Sequence, residues 1–422
     1  MRSFRRQPTA RGSGAPVDGN FHRPHRHTVI RWSSQDILAR LARRTSAGTL
    51  IAEIEGLRFI AIALVVLFHL AGYVQYYSPV AFDPPHQQDW LFSIATFGDR
   101  GVNLFFTVSG FVLAVPFARH HLLGAPAVSL PRYLWRRVTR LEPPYVASML
   151  LLYLLLVAVN GRNPIELLPN LLASVLYLHN LVYAHASAIN GVAWSLEVEV
   201  QFYLLAPLMG TVFAIRHRLA RRAVIIAAMG LAVALQVVVG MSSPRFVLSL
   251  GNYIQYFLAG FLLCDIYYAS WGAAPTLDRR WDLVTLVGWP ALFALWHNDL
   301  FARSLGPLLS VVVFCAAFKG PITRLGLTNP WVVTIGGMCY TIYLIHYAII
   351  SGIGRLAVPR LAPTNLFWVN YLLVALVVIP VVLVLSAIWF ALIERPCMDK
   401  DWPSKLGARV RNWRTSPHSA RG

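Results

Sequence analysis

Long apolar runs are the feature that most constrains what this chain can fold into. A helix needs about 20 apolar residues to cross the hydrocarbon core of a bilayer, and runs close to that length recur through the 422 residues. They predict ten spanning helices, at 54–75, 101–118, 142–160, 194–215, 222–240, 253–269, 282–297, 305–318, 330–352 and 367–393. Because helices satisfy their own backbone hydrogen bonds inside lipid, the predicted fold class is all-α and polytopic.

The composition supports a membrane protein and explains the strong positive charge. Hydrophobic residues make up 57% of the chain and charged residues only 13%, against about 25% charged residues in soluble domains. The net charge of +19 comes from basic residues beside apolar spans, which is typical of one face of a membrane. Aromatic residues do not interleave with them as in a single-strand-binding groove. We therefore expect membrane lipids, and no nucleic acid, as partners.

The stretch 167–184 is apolar but contains Pro169, His179 and Asn180, which suits a re-entrant or interfacial segment better than a crossing. If it does not cross and the N-terminus is cytoplasmic, 30 of the 37 Lys and Arg residues lie on the cytoplasmic side. The positive-inside rule therefore favours ten spans with both termini cytoplasmic. The expected location is the plasma membrane.

The chain divides by composition into three parts. Residues 1–50 read as a disordered basic cytoplasmic tail, 51–396 as a membrane-embedded domain, and 397–422 as a second basic cytoplasmic tail. No cleavable signal peptide is visible, so insertion is expected to start from the first span. The four cysteines show no CxxC spacing, and we expect neither a metal site nor a disulfide framework.

Arg58 and His69 are eleven residues apart in the first apolar run. Eleven helical steps of about 100° come to three turns plus roughly 20°, so both side chains lie on one stripe, about 16 Å apart. Ionisable residues within a membrane helix suggest function, and a neutral imidazole is suited to accept a proton near pH 7. The alternatives are a histidine satisfied by a polar neighbour and an arginine that extends to the membrane interface.

Further segments place polar residues inside or beside the spans. They read GVNLFFTVSGF at 101–111, RVTR at 137–140, WSLEVEVQFY at 194–203, YLIH at 343–346 and ERP at 394–396. Together with EGLRFIA at 55–61 and His69 they resemble, in order, the motifs of the membrane acyltransferase type 3 family. One departure is Asn103, where the family usually has Asp.

The resemblance implies an enzyme that transfers an acetyl or other short acyl group from acyl-CoA, with acetyl-CoA as the expected donor, to a hydroxyl. The implied acceptor is a carbohydrate, a glycolipid or a glycosylated small molecule. It also implies His69 as the base, with Arg58 and Glu199 as further catalytic residues. Since no second soluble domain is visible, the chain is expected to acylate its acceptor directly or through a separate partner. No permanently bound cofactor is expected.

Other residues are expected to bind the substrates. Arg137 and Arg140 are three apart, hence neighbours on one helix face, and the pair fits the phosphates of coenzyme A. Ordinary anchoring on the cytoplasmic side is the alternative.

Glu197 and Glu199 point about 200° apart, so only one of them can face a given cavity. The resemblance favours Glu199, expected to orient a histidine or bind an acceptor hydroxyl, and leaves Glu197 to a loop or lipid contact.

We also expect substrate contacts from four residues in the later motifs: Trp194, Ser195, Tyr343 and His346. For His346, a packing role is an equal alternative.

The rival function is a polytopic transporter or flippase of a glycolipid or small solute. Such proteins often carry repeats and interrupted helices, and neither is visible here. A third possibility is an acyl-CoA-binding sensor without turnover.

Overall fold

The computed structural model describes residues 33–43, 50–83, 89–239, 243–295, 299–399, 401–406 and 408. Within them the chain is helical and contains no β-strand. The α-helices, in chain order, are α1 Ser34–Leu41, α2 Ala52–Tyr77, α3 Trp90–Thr96, α4 Gly101–Leu123, α5 Leu130–Ala158, α6 Pro164–Val175, α7 His179–Tyr183, α8 Trp194–Gly210, α9 Arg218–Val239, α10 Pro244–Val247, α11 Leu250–Asp265, α12 Arg280–Leu295, α13 Asp299–Ser304, α14 Gly306–Lys319, α15 Pro321–Leu327, α16 Pro330–Gly337, α17 Cys339–Leu361, α18 Phe367–Trp389 and α19 Arg395–Cys397. Short 3₁₀ segments cover Phe97–Arg100, Gly191–Ala193 and Thr211–Ala214, π segments cover Ile266–Ser270 and Phe390–Glu394, and 402–406 adds a last helical turn.

Several helical segments are long and apolar enough to cross a bilayer. Among the described residues there are eight: Ala52–Tyr77, Trp90–Leu123, Leu130–Ala158, Gly191–Ala214, Arg218–Val238, Pro244–Ser270, Cys339–Leu361 and Phe367–Cys397. A ninth crossing requires α14 and α15, which meet at an 88° bend, to act as one broken span. The predicted class, an all-α polytopic membrane protein, is confirmed.

The predicted count of ten spans is higher than the described residues provide. The predicted span 282–297 overlaps α12, which is described up to Leu295, and its last two residues lie outside the described part of the chain. The predicted span 330–352 is interrupted at Met338, and its long helix begins only at Cys339. Hydropathy measures how apolar a segment is, but it does not show at which residue a helix ends.

The stretch 167–184 does not form a long helix. It is divided between α6, of 12 residues, and α7, of five. At 1.5 Å per residue α6 extends only about 18 Å, which agrees with the prediction that this stretch does not cross.

Part of the predicted disordered tail is ordered. Helix α1 begins with a capping box, in which the Ser33 side chain accepts the Asp36 N–H and the Asp36 carboxylate accepts the Ser33 N–H. This arrangement satisfies two donors that a helix start leaves free, and the sequence signal was the Ser-x-x-Asp spacing. The rest of 1–50, and most of the predicted tail 397–422, lie outside the described residues.

Close helix crossings hold the bundle together around α2 and α4. Helices α4 and α11 meet at Gly110 and Gly260, where an added Cβ would overlap the facing backbone. Small residues permit such approach between membrane helices. Helix α9 is fixed to α11 by Asp265, which is buried and accepts from both Arg221 and Arg222. Helix α2 packs against α4, α16, α17 and α18, and its charged residues Glu53, Glu55 and Arg58 are buried.

Candidate active site

Helix α2 carries both Arg58 and His69, and each of them lines one of two adjoining cavities. Arg58, near the start of α2, lines a cavity of about 850 Å³, part of it open to solvent. His69, three turns later, lines a second cavity of about 700 Å³. We call these the arginine cavity and the histidine cavity. The helix face that carries Arg58 and His69 therefore borders both cavities, and these two side chains do not contact each other.

The arginine cavity brings together residues that are far apart in the sequence. Its charged lining consists of Arg43, Arg58, Arg137, Arg140, Glu199 and Glu394. Cavities that bind small molecules are mostly apolar with a few converging polar groups, and here most of the remaining lining residues are aromatic or aliphatic. Four guanidinium groups in one cavity are suited to phosphate recognition.

Arg58 is held by an ion pair inside the bundle. Its Nη1 donates to both carboxylate oxygens of Glu55, at 2.8 and 3.0 Å. Oxygen Oε1 of Glu55 also accepts from Nη1 of Arg43 at 2.5 Å. Arg58 is only 9% exposed, so it does not extend to the membrane interface. One carboxylate therefore serves two arginines.

The two glutamates of the 194–203 segment point to different places, as predicted. Glu199 lines the arginine cavity and accepts the Ser109 hydroxyl proton at 2.7 Å. Glu197 is buried and accepts the backbone N–H of Asn180, in α7, at 2.8 Å, so the loop or lipid contact expected for it is replaced by a contact with a short helix. Of the two roles expected for Glu199, orienting a histidine is not seen among the described residues, where His69 is hydrogen-bonded by the His346 side chain instead. Binding of an acceptor hydroxyl by Glu199 stays a prediction.

Arg137 and Arg140 both reach the arginine cavity from α5. The guanidinium carbon of Arg137 lies 5.4 Å from the Tyr133 ring centroid and 5.6 Å from that of Tyr203, within cation–π range. Nε of Arg140 is buried and has no hydrogen-bond partner among the described residues. This pair therefore keeps hydrogen-bonding capacity for a ligand.

The histidine cavity has an aromatic wall. Trp194, Tyr343, Tyr347 and Phe68 line it with His69, and Asp99 adds a carboxylate. The ring of Tyr347 meets the His69 ring edge to face, with centroids 5.3 Å apart. A cavity of this kind offers apolar faces together with one strong hydrogen-bond acceptor.

The two cavities share a wall formed by Val102 and Tyr343. The Tyr343 hydroxyl donates to the backbone oxygen of Val192 at 2.8 Å and lies 2.6 Å from the Ser195 hydroxyl. Because the Tyr343 hydroxyl proton is donated to the Val192 oxygen, the Ser195 hydroxyl is the donor in the bond between Ser195 and Tyr343. These bonds hold the Tyr343 ring in place between the compartments.

A chain of hydrogen bonds sets the tautomer of His69. Nδ1 of His346 lies 3.0 and 2.9 Å from the backbone oxygens of Ile342 and Tyr343. Since a carbonyl only accepts, this nitrogen carries the proton and Nε2 of neutral His346 is an acceptor. Nε2 lies 3.1 Å from Nδ1 of His69, which also lies 2.9 Å from the Val65 oxygen. Nδ1 of His69 is therefore the donor, and its Nε2 keeps the lone pair.

The structure brings together the predicted site residues, in two groups. Arg58, Arg137, Arg140, Ser195 and Glu199 line the arginine cavity, Trp194 and His69 the histidine cavity, and Tyr343 both, while His346 stands behind His69.

Sequence reasoning missed Arg43, Ser109 and Glu394 as lining residues. Ser109 and Glu394 lie within recognised motifs, whereas nothing in the sequence distinguished Arg43. Across the described residues, no cluster of His, Cys, Asp and Glu could hold a metal ion.

Comparison with known proteins identifies the family of the chain. The profile of the acyltransferase type 3 family, described as an acyltransferase domain, matches residues 51–387. The chain belongs to this family. The predicted resemblance is thereby confirmed, and at the level of the family so is the predicted acyltransferase class. The match weighs against the transporter alternative.

Two curated relatives of this chain are named O-acetyltransferases. O-acetyltransferase OatA of Staphylococcus aureus (strain NCTC 8325 / PS 47) is 22% identical over 395 residues, covering 85% of this chain and 60% of the relative. OatA of S. aureus (strain MRSA252) is 22% identical over 380 residues, with 83% and 57% covered. The chain thus spans about three fifths of the length of these relatives. No solved structure matches it.

Proposed function

We propose that this protein is an integral membrane O-acyltransferase. It moves an acetyl or other short acyl group from acyl-CoA to a hydroxyl of a carbohydrate or glycosylated acceptor. The observation that carries the proposal is the pair of adjoining cavities, one lined by arginines and the other by a histidine with a free Nε2. Membership of an acyltransferase family supports the same reaction class.

The donor occupies the arginine cavity in this proposal. Arg137 and Arg140 bind phosphate groups of coenzyme A, because guanidinium groups make charge-assisted bonds to phosphate oxygens. Arg58 supports the same anionic ligand from α2, fixed by its pair with Glu55. The acyl thioester then reaches toward the wall of Val102 and Tyr343. Glu199 lies in the donor compartment, where it holds the Ser109 hydroxyl.

His69 is the general base. The acceptor oxygen attacks the thioester carbonyl carbon while its proton passes to Nε2 of His69. The tetrahedral intermediate collapses with cleavage of the C–S bond, the ester forms, and the sulfur takes a proton from His69 to leave as the thiol of coenzyme A. During this cycle His346 and the Val65 carbonyl accept from Nδ1 of His69 and stabilise its charged form.

A sugar hydroxyl suits the histidine cavity. The faces of Trp194 and Tyr347 can pack against the C–H faces of a sugar ring, because aromatic side chains offer broad apolar surfaces. The Asp99 carboxylate can accept from hydroxyl groups on the same ring. Carbohydrate, glycolipid and glycosylated small molecules all present such a ring.

We further propose that the protein lies in the plasma membrane with both termini cytoplasmic. The basic residues in the first turns of α5 and α9 support this orientation, and it places the entrance for acyl-CoA beside the soluble donor pool. In the same proposal the membrane-embedded domain spans 51–396, between two basic tails.

The direct test uses the purified full chain in lipid nanodiscs. Acetyl-CoA and candidate glycosylated acceptors are supplied, and both free coenzyme A thiol and acetylated product are measured. Stoichiometric formation of thiol and ester is the expected result. Binding of coenzyme A without product for any acceptor class would favour a sensor, and solute flux without thiol release would favour a transporter.

A further inference from the structure

Arg43 lines the arginine cavity although it precedes the region that the family profile covers. The profile begins at residue 51, and Arg43 follows α1 after the helix-ending residue Ala42. Its side chain is only 10% exposed, which is unusual for an arginine in a basic tail. A chain segment outside the common domain therefore contributes a charged group to the cavity.

The position of Arg43 is fixed by its surroundings. Arg395 donates to the backbone oxygens of Ala42 and Ala39, at 3.3 and 3.2 Å, and so satisfies carbonyls that the end of α1 leaves free. Gly337 leaves room for the side chain, because a Cβ there would lie 3.3 Å from Cβ of Arg43. The Arg395 contacts and this space together direct Arg43 into the bundle.

Guanidinium donors outnumber their partners in this cavity. Glu55 Oε1 accepts from both Arg43 and Arg58. Nε of Arg43 and Nε of Arg140 are both buried and have no hydrogen-bond partner among the described residues. Leaving a buried donor unsatisfied is costly, and both arginines line the arginine cavity together with two further guanidinium groups. An anionic ligand bound there would supply the acceptors that these arginines lack.

We infer that Arg43 binds an anionic group of the donor together with Arg140, so that a residue placed by the end of α1 forms part of the donor site. This inference rests on the proposed function, since the anion is a phosphate of coenzyme A. A phosphate offers several acceptor oxygens and can bridge two guanidinium groups. The fold itself does not require Arg43, because Arg58 continues to neutralise Glu55 when Arg43 is replaced.

The test measures the Kd of coenzyme A for the full chain in nanodiscs by titration calorimetry. Arg43→Gln should weaken binding by at least tenfold, Arg43→Lys by less, and both should unfold at the wild-type temperature. The matched control is Arg40→Gln, which removes an exposed arginine of α1 that does not line the cavity and should leave the Kd unchanged.

Two outcomes would overturn the inference in distinguishable ways. If the wild-type chain does not bind coenzyme A, the proposed donor and this inference both fail. If the wild type binds, Arg140→Ala binds more weakly and Arg43→Gln binds normally, only the assignment of Arg43 fails.

The double variant R43Q/E55Q separates binding from structural pairing. The reference is Glu55→Gln alone, because Glu55 also fixes Arg58. If Arg43 acts only by neutralising Glu55, R43Q/E55Q binds coenzyme A as tightly as Glu55→Gln does, and the inference is contradicted. If Arg43 contacts the donor, R43Q/E55Q binds at least tenfold more weakly than Glu55→Gln.

Discussion

Nε2 of His346 lies 3.1 Å from Nδ1 of His69. The proton on Nδ1 of His346 is held by backbone carbonyls, so this contact orients the His69 proton toward His346 and leaves Nε2 of His69 free. We assign His346 as a positioning residue, since in our proposal it acts on the reaction only through His69.

Replacement of His346 should lower turnover without weakening donor binding. His346→Leu removes the acceptor for His69, and we expect kcat to fall about 10²-fold, within the range of general-base catalysis, with an unchanged Kd for coenzyme A. His346→Gln can place an amide oxygen near the former Nε2 and should retain at least tenfold more activity than the leucine variant. Steady-state kinetics checks both values. Equal activity of the two variants in folded protein would contradict the positioning role.

Arg137→Ala and Arg140→Ala should raise the KM for acyl-CoA more than they lower kcat. Phosphate contacts persist from the ground state to the transition state, so their loss is a loss of uniform binding. A charge-assisted bond contributes about 1.5–3 kcal/mol, which corresponds to roughly a tenfold to hundredfold change in KM. Donor titrations at saturating acceptor give the two constants. Unchanged donor dependence in both variants would assign the pair to membrane anchoring.

Gly260→Ala should destabilise the bundle. The added Cβ would overlap the backbone at Thr107 and Phe111, so α4 and α11 must separate, at a cost of about 1–3 kcal/mol. Gly230→Ala is the matched control, because this exposed glycine in α9 has open space around it and alanine favours a helix. Thermal unfolding in one detergent compares the two. A higher Tm for Gly260→Ala than for the wild type would show that the crossing is looser than described.

A topology reporter fused after Arg218 should report a cytoplasmic location. This follows if 167–184 does not cross, as the 12-residue length of α6 indicates, and if the N-terminus is inside. A reporter fused near residue 50 supplies the reference. Opposite locations for the two fusions would remove the proposed orientation and add a crossing between them.

Much of the fold and some of the site could be predicted because the signals are local. Apolar runs mark the helices, and a helical repeat places Arg58 and His69 on one stripe. The contact between His69 and His346 joins residues 277 apart in sequence and depends on how α2 packs against α17. The insertion of Arg43 depends on Arg395 near the other end of the chain, so no local pattern reveals it. The interruption at Met338 follows directly after Gly336 and Gly337, which disfavour a helix and which hydropathy does not distinguish from other small residues.

The central claim is that Nε2 of His69 accepts the proton of the acceptor hydroxyl. The most direct measurement compares the wild type with His69→Gln in nanodiscs, following thiol release and ester formation with acetyl-CoA, beside the Kd of coenzyme A. Glutamine can form hydrogen bonds but cannot accept that proton at neutral pH. We expect a loss of turnover of at least about 10²-fold, with coenzyme A bound as tightly as by the wild type. Full turnover by folded His69→Gln would contradict it.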